Sequence, residues 1–565
     1  MHPERGSVGI VRAEKRRSGW GTPMRPQTIC GAWRVRGWRA VVGLFLAISP
    51  ALMRAADDST PVLLEGESLS LKELTQRVIL HNTALQSKQL EFRISRKRYQ
   101  AEKGIFEPDF VASYERDENK RRNTAEQQSQ QFLLNTTRIF QEQNNVYNAG
   151  LEGLIPIGGR VRLGYTMRDL DNNLQPSLGV KSEFQTFAGI SLTQPLLKNF
   201  GTSVTLANLR LAALASDAAF HDYRRQLMLT LSTAEASYWN LYLAQEQVRF
   251  FEESVKLAET ILKDAQARFA AGRSSELETQ EAQSALALRR SKLADAEQKR
   301  FEASSKLSSL FGSAAFGSNE VLVVSEVPGN EAAPAFSFQE SALRAFKSNP
   351  DYWSQRKKMD SEDIRLAFAK NQRLPQVDLK ASYGLNGLAE TVSLSLDQVS
   401  RGSYASWSAG FEMRMPVLGG TKSRREYEAA QLRVQQALTD LKELETQIFN
   451  GLDNAHRKIL SSRRSVDNYR QVVEFNQSLL KSQIARLEAG KVEPRKVLEV
   501  EADLLEARSA ASESLVQYRR ALLELELVEG SFLESRNLEV DKKALDAETR
   551  SYIPSEPPPV PARNP

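Results

Sequence analysis

Along its 565 residues the sequence has one cysteine, Cys30, and four histidines, His2, His81, His221 and His456, far apart from one another. That scarcity leaves no recognisable zinc or redox constellation. His221 and His456 sit in helical sequence and read as surface or packing residues. Aromatic residues make up 8% of the chain, modest for a large packed core, and no Ser/His/Asp arrangement stands out. The segment GRVRLG at 159–164 lacks the GxxxxGK[ST] spacing of a phosphate loop and lies among alternating strand residues. An enzyme is not expected, nor is a cofactor.

A basic surface for nucleic acid is also missing once charge is located along the chain. The formal charge of +6 arises in the first 56 residues, which hold ten Lys or Arg against Glu4 and Glu14. From Asp57 onward 66 basic residues face 68 acidic ones. That balance disfavours a coiled-coil protein acting on nucleic acid. The basic leader runs into AVVGLFLAIS at 40–49, too short for a membrane helix and followed by small residues. Residues 1–56 are expected to be a signal peptide, with Met24 an alternative start and cleavage near 51–56. Cys30 would leave with it, so the mature chain would hold no disulfide and no lipid-bearing N-terminal cysteine.

Proline is absent between Pro195 and Pro328 and again between Pro416 and Pro494. Within these stretches apolar residues advance by three and four: Leu227, Leu231, Ala234, Tyr238, Leu241 in one, Ile448, Leu452, Ala455, Ile459 in the other. This is a coiled-coil-like seam. One helix over 202–271 would be roughly 100 Å long at ~1.5 Å per residue.

The chain also repeats itself. LSLKELTQRVILHNTAL (69–85) corresponds to FSFQESALRAFKSNPDY (336–352) at an offset of 267, and Gly272 to Gly490 at an offset of 218. Between the helical parts lie segments of period two, such as VDLKASYGLN and ASWSAGFEMRM, greasy on one face and polar or charged on the other. The first half offers four such segments, near 109–115, 147–155, 161–168 and 184–193; the second offers two. PIGG at 156–159 is a tight turn, whereas 116–146, 169–183 and 386–403 read as long polar loops, the asymmetry of a membrane barrel.

Taken in this order, the duplicated LSLKEL and FSFQES helices, SLTQPLLKNFG (191–201), MRMPVLGG (413–420) and the glycine-tipped turns FAAGRSSELE (269–278) and LEAGKVEPRK (487–496) resemble the TolC-like outer-membrane efflux family. The resemblance implies a mixed α and β membrane protein. Its tandem-repeat protomer would combine long coiled-coil-like helices with transmembrane β-strands, and three copies would form a β-barrel continuous with an α-helical periplasmic barrel. The divisions expected are 57–312 as the first repeat, 313–335 as an equatorial linker, 336–533 as the second repeat and 534–565 as an equatorial and proline-rich tail. The function implied is the outer-membrane exit duct of a tripartite efflux pump or a type I secretion system. Its partners would be a periplasmic adaptor (membrane fusion) protein, an inner-membrane pump, two further copies of the chain and outer-membrane lipid.

By the same resemblance Gly272, Arg273, Ser274, Gly490, Lys491 and Val492 form adaptor-docking tips. Glycine suits a sharp reversal that must also leave its backbone open to a partner. The family commonly has an Asp six residues after each tip glycine; here Glu278 and Lys496 stand there, with Glu499 three further on. These three are candidates for the periplasmic constriction, although Lys496 departs from an acidic ring. The alternative reading is a periplasmic adaptor or scaffold built on long helical hairpins.

Overall fold

Ser70 and Ser337 open the two halves in the same way. Each side chain accepts a hydrogen bond from the backbone N–H three residues on and caps an eleven-residue helix, α1 (Leu71–His81) and its later counterpart Phe338–Ser348. Each helix stops at an asparagine, Asn82 or Asn349, whose side chain at once caps the next one. A computed structural model describes residues 68–125, 139–173, 175, 179, 182–312, 321–329, 337–417, 420–542 and 545. The expected signal peptide, most of the linker and most of the tail lie outside the described residues.

In chain order the helices are α1, α2 (Thr83–Glu102), α3 (Ala207–Ala270), α4 (Glu276–Ser309), α5 (Phe338–Ser348), α6 (Pro350–Gln372), α7 (Val392–Ser400), α8 (Thr421–Glu488) and α9 (Pro494–Glu529). With 64 and 68 residues, α3 and α8 are each about 100 Å long at ~1.5 Å per residue. The expected helix over 202–271 begins instead with a separate turn, Thr202–Thr205, before α3. Neither long helix is matched by a single partner. α3 packs on α4, α6 and α2, and α8 packs on α9 and α6. All the seam residues singled out by periodicity are buried. Three apolar clusters hold the bundle: one around Phe92, Tyr238 and Phe532, one around Leu452, Ala455 and Tyr518, and one near the helix tips. In the first, the short parallel pair β1 (Ser68–Leu69) and β6 (Val323–Val324) is tied to α3 by Tyr238 Oη, which donates to the Leu69 carbonyl at 2.9 Å.

The remaining strands, β2 (Asp109–Arg122), β3 (Ile139–Leu154), β4 (Arg160–Asn172), β5 (Glu183–Pro195), β7 (Gln376–Ala389) and β8 (Tyr404–Arg414), form one antiparallel sheet in the order β2-β3-β4-β5-β7-β8. All four segments of the first half therefore join the two of the second. The register lines up Phe110, Leu151, Leu163, Ile190, Tyr383 and Trp407 on one face, and every one of these is exposed. The opposite face carries Arg162, Lys380 and Glu412, the last two ion-paired. It also carries Gly189 and Gly384 side by side, where the Phe187 ring sits so close that a Cβ at Gly384 would lie 2.4 Å from it. Such a glycine site lets the sheet bend beneath an aromatic ring.

The strands run further than hydrophobic alternation alone suggested. β2 continues through Arg116–Arg122 and β3 starts at Ile139, because the antiparallel ladder uses backbone groups and needs no apolar face. The expected loop 386–403 is corrected likewise: Asn386–Ala389 extends β7, and α7 folds back onto β5 and β7. No described helix is long and apolar enough to cross a membrane.

Candidate functional site

Both tips close by the same hydrogen bonds. At the end of α3, Gly272 has φ +69°, its N–H donates to the Phe269 carbonyl at 2.9 Å, and the Arg273 N–H donates to the Arg268 carbonyl at 2.8 Å. At the end of α8, Gly490 has φ +67°, with matching bonds of 3.0 Å to Leu487 and 2.9 Å from Lys491 to Arg486. This is the Schellman arrangement, which satisfies carbonyls that a helix end leaves open and needs a left-handed residue. A Cβ built on either glycine meets nothing within 4 Å, so the backbone there is open to solvent.

The restarts differ. Ser275 caps α4 by accepting from the Glu278 N–H at 3.3 Å, and Glu276 and Glu278 put negative charge at the positive end of the helix. α9 starts with Pro494 in its first turn and has no acidic residue there. Lys496 instead donates to Glu499 Oε2 at 2.9 Å, both side chains being exposed. Of the constriction candidates, then, Lys496 and Glu499 meet each other, while Glu278 has its backbone N–H engaged in the cap. Ser274 and Val492 occupy equivalent places in the two turns, half-buried beside exposed Arg273 and Lys491.

The tips are held side by side. Arg268 Nη2 donates to the Leu487 carbonyl at 3.2 Å, linking the end of α3 to the end of α8. Behind the tips, the apolar cluster of Val255, Ala258, Ile261, Leu286, Leu487, Val497 and Leu498 draws on both hairpins. Buried within this region, Arg289 on α4 donates from Nε to Ser254 Oγ at 3.1 Å and from Nη2 to the Leu498 carbonyl at 3.0 Å. Its Nη2 also reaches Glu501 Oε2 at 2.5 Å, so α3, α4 and α9 meet at one guanidinium. Sequence reasoning did not single out this pair, yet a signal was there. Arg289 falls in the apolar series Ala282, Leu286, Arg289, Leu293, Ala296, and Glu501 falls between Val497 and Leu504. A charge at a seam position marks a partner across the seam.

Surface chemistry separates the tips more than backbone does. Phe269 and Leu277, flanking the first turn, are 47% and 63% exposed, whereas Leu487, the counterpart of Phe269, is 6% exposed. Among the described residues no group of His, Cys, Asp or Glu could hold a metal ion. His221 packs against Phe220 and Trp353, and burial, with the Arg224 charge, lowers its pKa to about 4.

This architecture has counterparts among solved structures. The chain matches the CusC channel with a TM-score of 0.58 at 15% identity, over 83% of this chain and 95% of that one. It matches the outer-membrane channel OprN at 0.59 and 15%, over 82% and 93%. It matches the Campylobacter jejuni CmeC outer membrane channel at 0.57 and 14%, over 85% and 89%. At these identities the likeness speaks for the fold. No curated protein matches the chain by sequence. The family model described as "outer membrane efflux protein" matches residues 74–313 and 344–531, most of the described chain, and so the chain belongs to the outer membrane efflux protein family.

Proposed function

We propose that three copies of the chain close one barrel and that its paired tips receive an adaptor. As a member of its family the chain is an outer-membrane exit duct that extends into the periplasm, not an enzyme, and the adaptor reading is set aside. The observation that carries the proposal is the sheet. β2 and β8 lie at its two ends, each paired on one side only. In lipid an open strand edge leaves backbone groups without partners, at several kcal/mol each. Pairing β8 of one copy with β2 of the next removes both edges, and with six strands per copy a trimer closes at eighteen.

The outward apolar series on β8, Ala405, Trp407, Ala409, Phe411 and Met413, runs about 26 Å at ~3.3 Å per residue, comparable to a lipid-facing band of roughly 25 Å. At the other pole three copies would present six glycine turns, with Arg273 and Lys491 at their surface. Energy and substrate choice would rest with the inner-membrane partner.

Single-particle imaging of protein extracted from outer membranes is expected to show a three-fold particle with eighteen strands and a helical extension of about 100 Å. Twelve strands, or no barrel, would overturn the assembly. The double charge reversal Arg273→Glu/Lys491→Glu is expected to abolish adaptor cross-linking with the trimer intact; unchanged cross-linking would remove the tips from docking.

A further inference from the structure

The six-stranded sheet carries a stagger of its own. The row of paired residues that starts at Asp109, the first residue of β2, passes through Glu152, Arg162, Ser191 and Ser382 and reaches β8 at Ser408. The strands run past that row, toward the long helices, by growing amounts: β3 by two residues to Leu154, β5 by four to Pro195, and β8 by six to Arg414. Crossing the sheet thus moves its helix-side ends by six residues, about 20 Å at ~3.3 Å per residue, over a width of about 29 Å at ~4.8 Å per strand. Taken as one level, those ends tilt the strands by about 35°, within the range of membrane barrels.

A second copy set against β8 keeps this level when its Asp109 lies opposite Arg414. The alternatives fail for separate reasons. A slip of one residue turns the outward series of β2, Phe110, Ala112 and Tyr114, against the inward series of β8. A register two residues shorter sets Asp109 opposite Glu412, like charge against like, and lowers the tilt to about 25°, below the barrel range. A register two residues longer sets Asp109 opposite Pro416, past the end of β8, where no N–H can join the ladder. Resting on the reading that three copies close one barrel, we propose that β8 of each copy pairs with β2 of the next in this one register. Arg414 then faces Asp109 of the next copy and Tyr404 faces its Asn119, and the closed barrel has a total stagger of eighteen residues, six from each copy.

The side chains of the two edges fit on both faces. On the inner face Arg414, which donates to Glu412 Oε1 at 2.7 Å and is 72% exposed, gains a second carboxylate. Glu115 and Asp117 come opposite Ser408 and Ser406, whose hydroxyls can donate to them, and Glu412 comes opposite Val111. On the outer face Phe411 lies opposite Ala112 and Tyr114 opposite Ala409, so that each ring stands beside a small residue, and Met413 lies opposite Phe110. Trp407, 77% exposed, comes opposite Arg116, a cation beside an aromatic face. Opposite charges across the seam are matched without a like pair, and all of β8 is paired.

Gly410 is the place to read the register, because a Cβ there meets nothing within 4 Å. In a Cys30→Ser background, which leaves introduced cysteines as the only ones, Gly410→Cys would be combined in turn with Val111→Cys, Ser113→Cys and Glu115→Cys. Outer membranes holding each variant would be treated with a short bifunctional thiol reagent, since directly opposite Cβ atoms lie ~4.5–5.5 Å apart and diagonal ones ~7–8 Å. Covalent trimers on denaturing gels are expected to form several-fold faster with Ser113→Cys than with either neighbour. A second scan from Ser408→Cys moves the expected maximum to Glu115→Cys and carries the test where a Gly410 variant does not assemble. A maximum at Val111→Cys or Glu115→Cys in the first scan would shift the register by two residues and overturn the proposal. Intact trimers without a cross-link at any position would overturn it too, because β8 would not then meet β2. A single-copy particle from the unaltered protein would instead remove the trimer on which the proposal rests.

Discussion

The two helix tips have one backbone and two surfaces. Both end in a glycine at positive φ with the same pair of closing hydrogen bonds. The first then exposes Phe269 and Leu277 and begins its second helix with Glu276 and Glu278; the second buries Leu487, Pro494 and Val497 and begins with Arg495 and Lys496. A duplicated turn needs little sequence to survive, because a glycine and two carbonyls suffice. The side chains around it were free to diverge, one tip toward apolar surface and the other toward packing against its neighbour. The comparison thus separates what a tip must have in order to turn from the surface it presents once it has turned.

The sharpest way to break the comparison is to cut the tie between the hairpins. Arg289→Met or Glu501→Gln leaves one member of the pair buried alone, at about 3–5 kcal/mol. Hydrogen exchange is expected to quicken at both tips together, and the double change Arg289→Met/Glu501→Met to recover most of the loss. Exchange that quickens at one tip only would mean that the hairpins move independently.

A smaller effect tests the shared backbone. Gly272→Ala and Gly490→Ala each force a Cβ into the left-handed region, at about 1–2 kcal/mol. The two shifts in thermal midpoint should agree, since neither site has neighbouring atoms to distinguish it; a clear difference would refute the equivalence of the turns. The restarts should respond unequally. Ser275→Ala removes a cap worth about 1 kcal/mol, while Pro494→Ala frees the unfolded chain for about 0.4–1 kcal/mol. Exchange rates in the first turns of α4 and α9 measure both, and a silent Ser275→Ala would argue that the cap contributes nothing. Smallest is Lys496→Asp. Releasing Glu499 and adding a carboxylate should move single-channel selectivity toward cations, and identical selectivity would exclude Lys496 from the constriction.

Much of this was legible in the residues. The seam positions Leu227 to Leu241 and Ile448 to Ile459 are buried as their spacing required, because a helix presents every third or fourth residue to one side. The six alternating segments are all strands of one sheet. Less legible were the ends of the strands, since Arg116–Arg122 pair through backbone atoms whatever their side chains. α7 was missed because a nine-residue helix whose buried residues are only Ser395 and Val399 leaves a weak periodic signal. Arg289 and Glu501 are visible as charges on apolar seams, but 212 residues separate them, and no local rule could pair them.

By itself the sequence determined the repeated helical hairpins, the glycine turns and the alternating strands, because each depends on neighbours within a few residues. Only the tertiary structure decided that all six strands share one sheet, that α7 folds back onto it and that one buried guanidinium ties two hairpins together. Those outcomes depend on register and on contacts between distant segments, which are set when the whole chain packs.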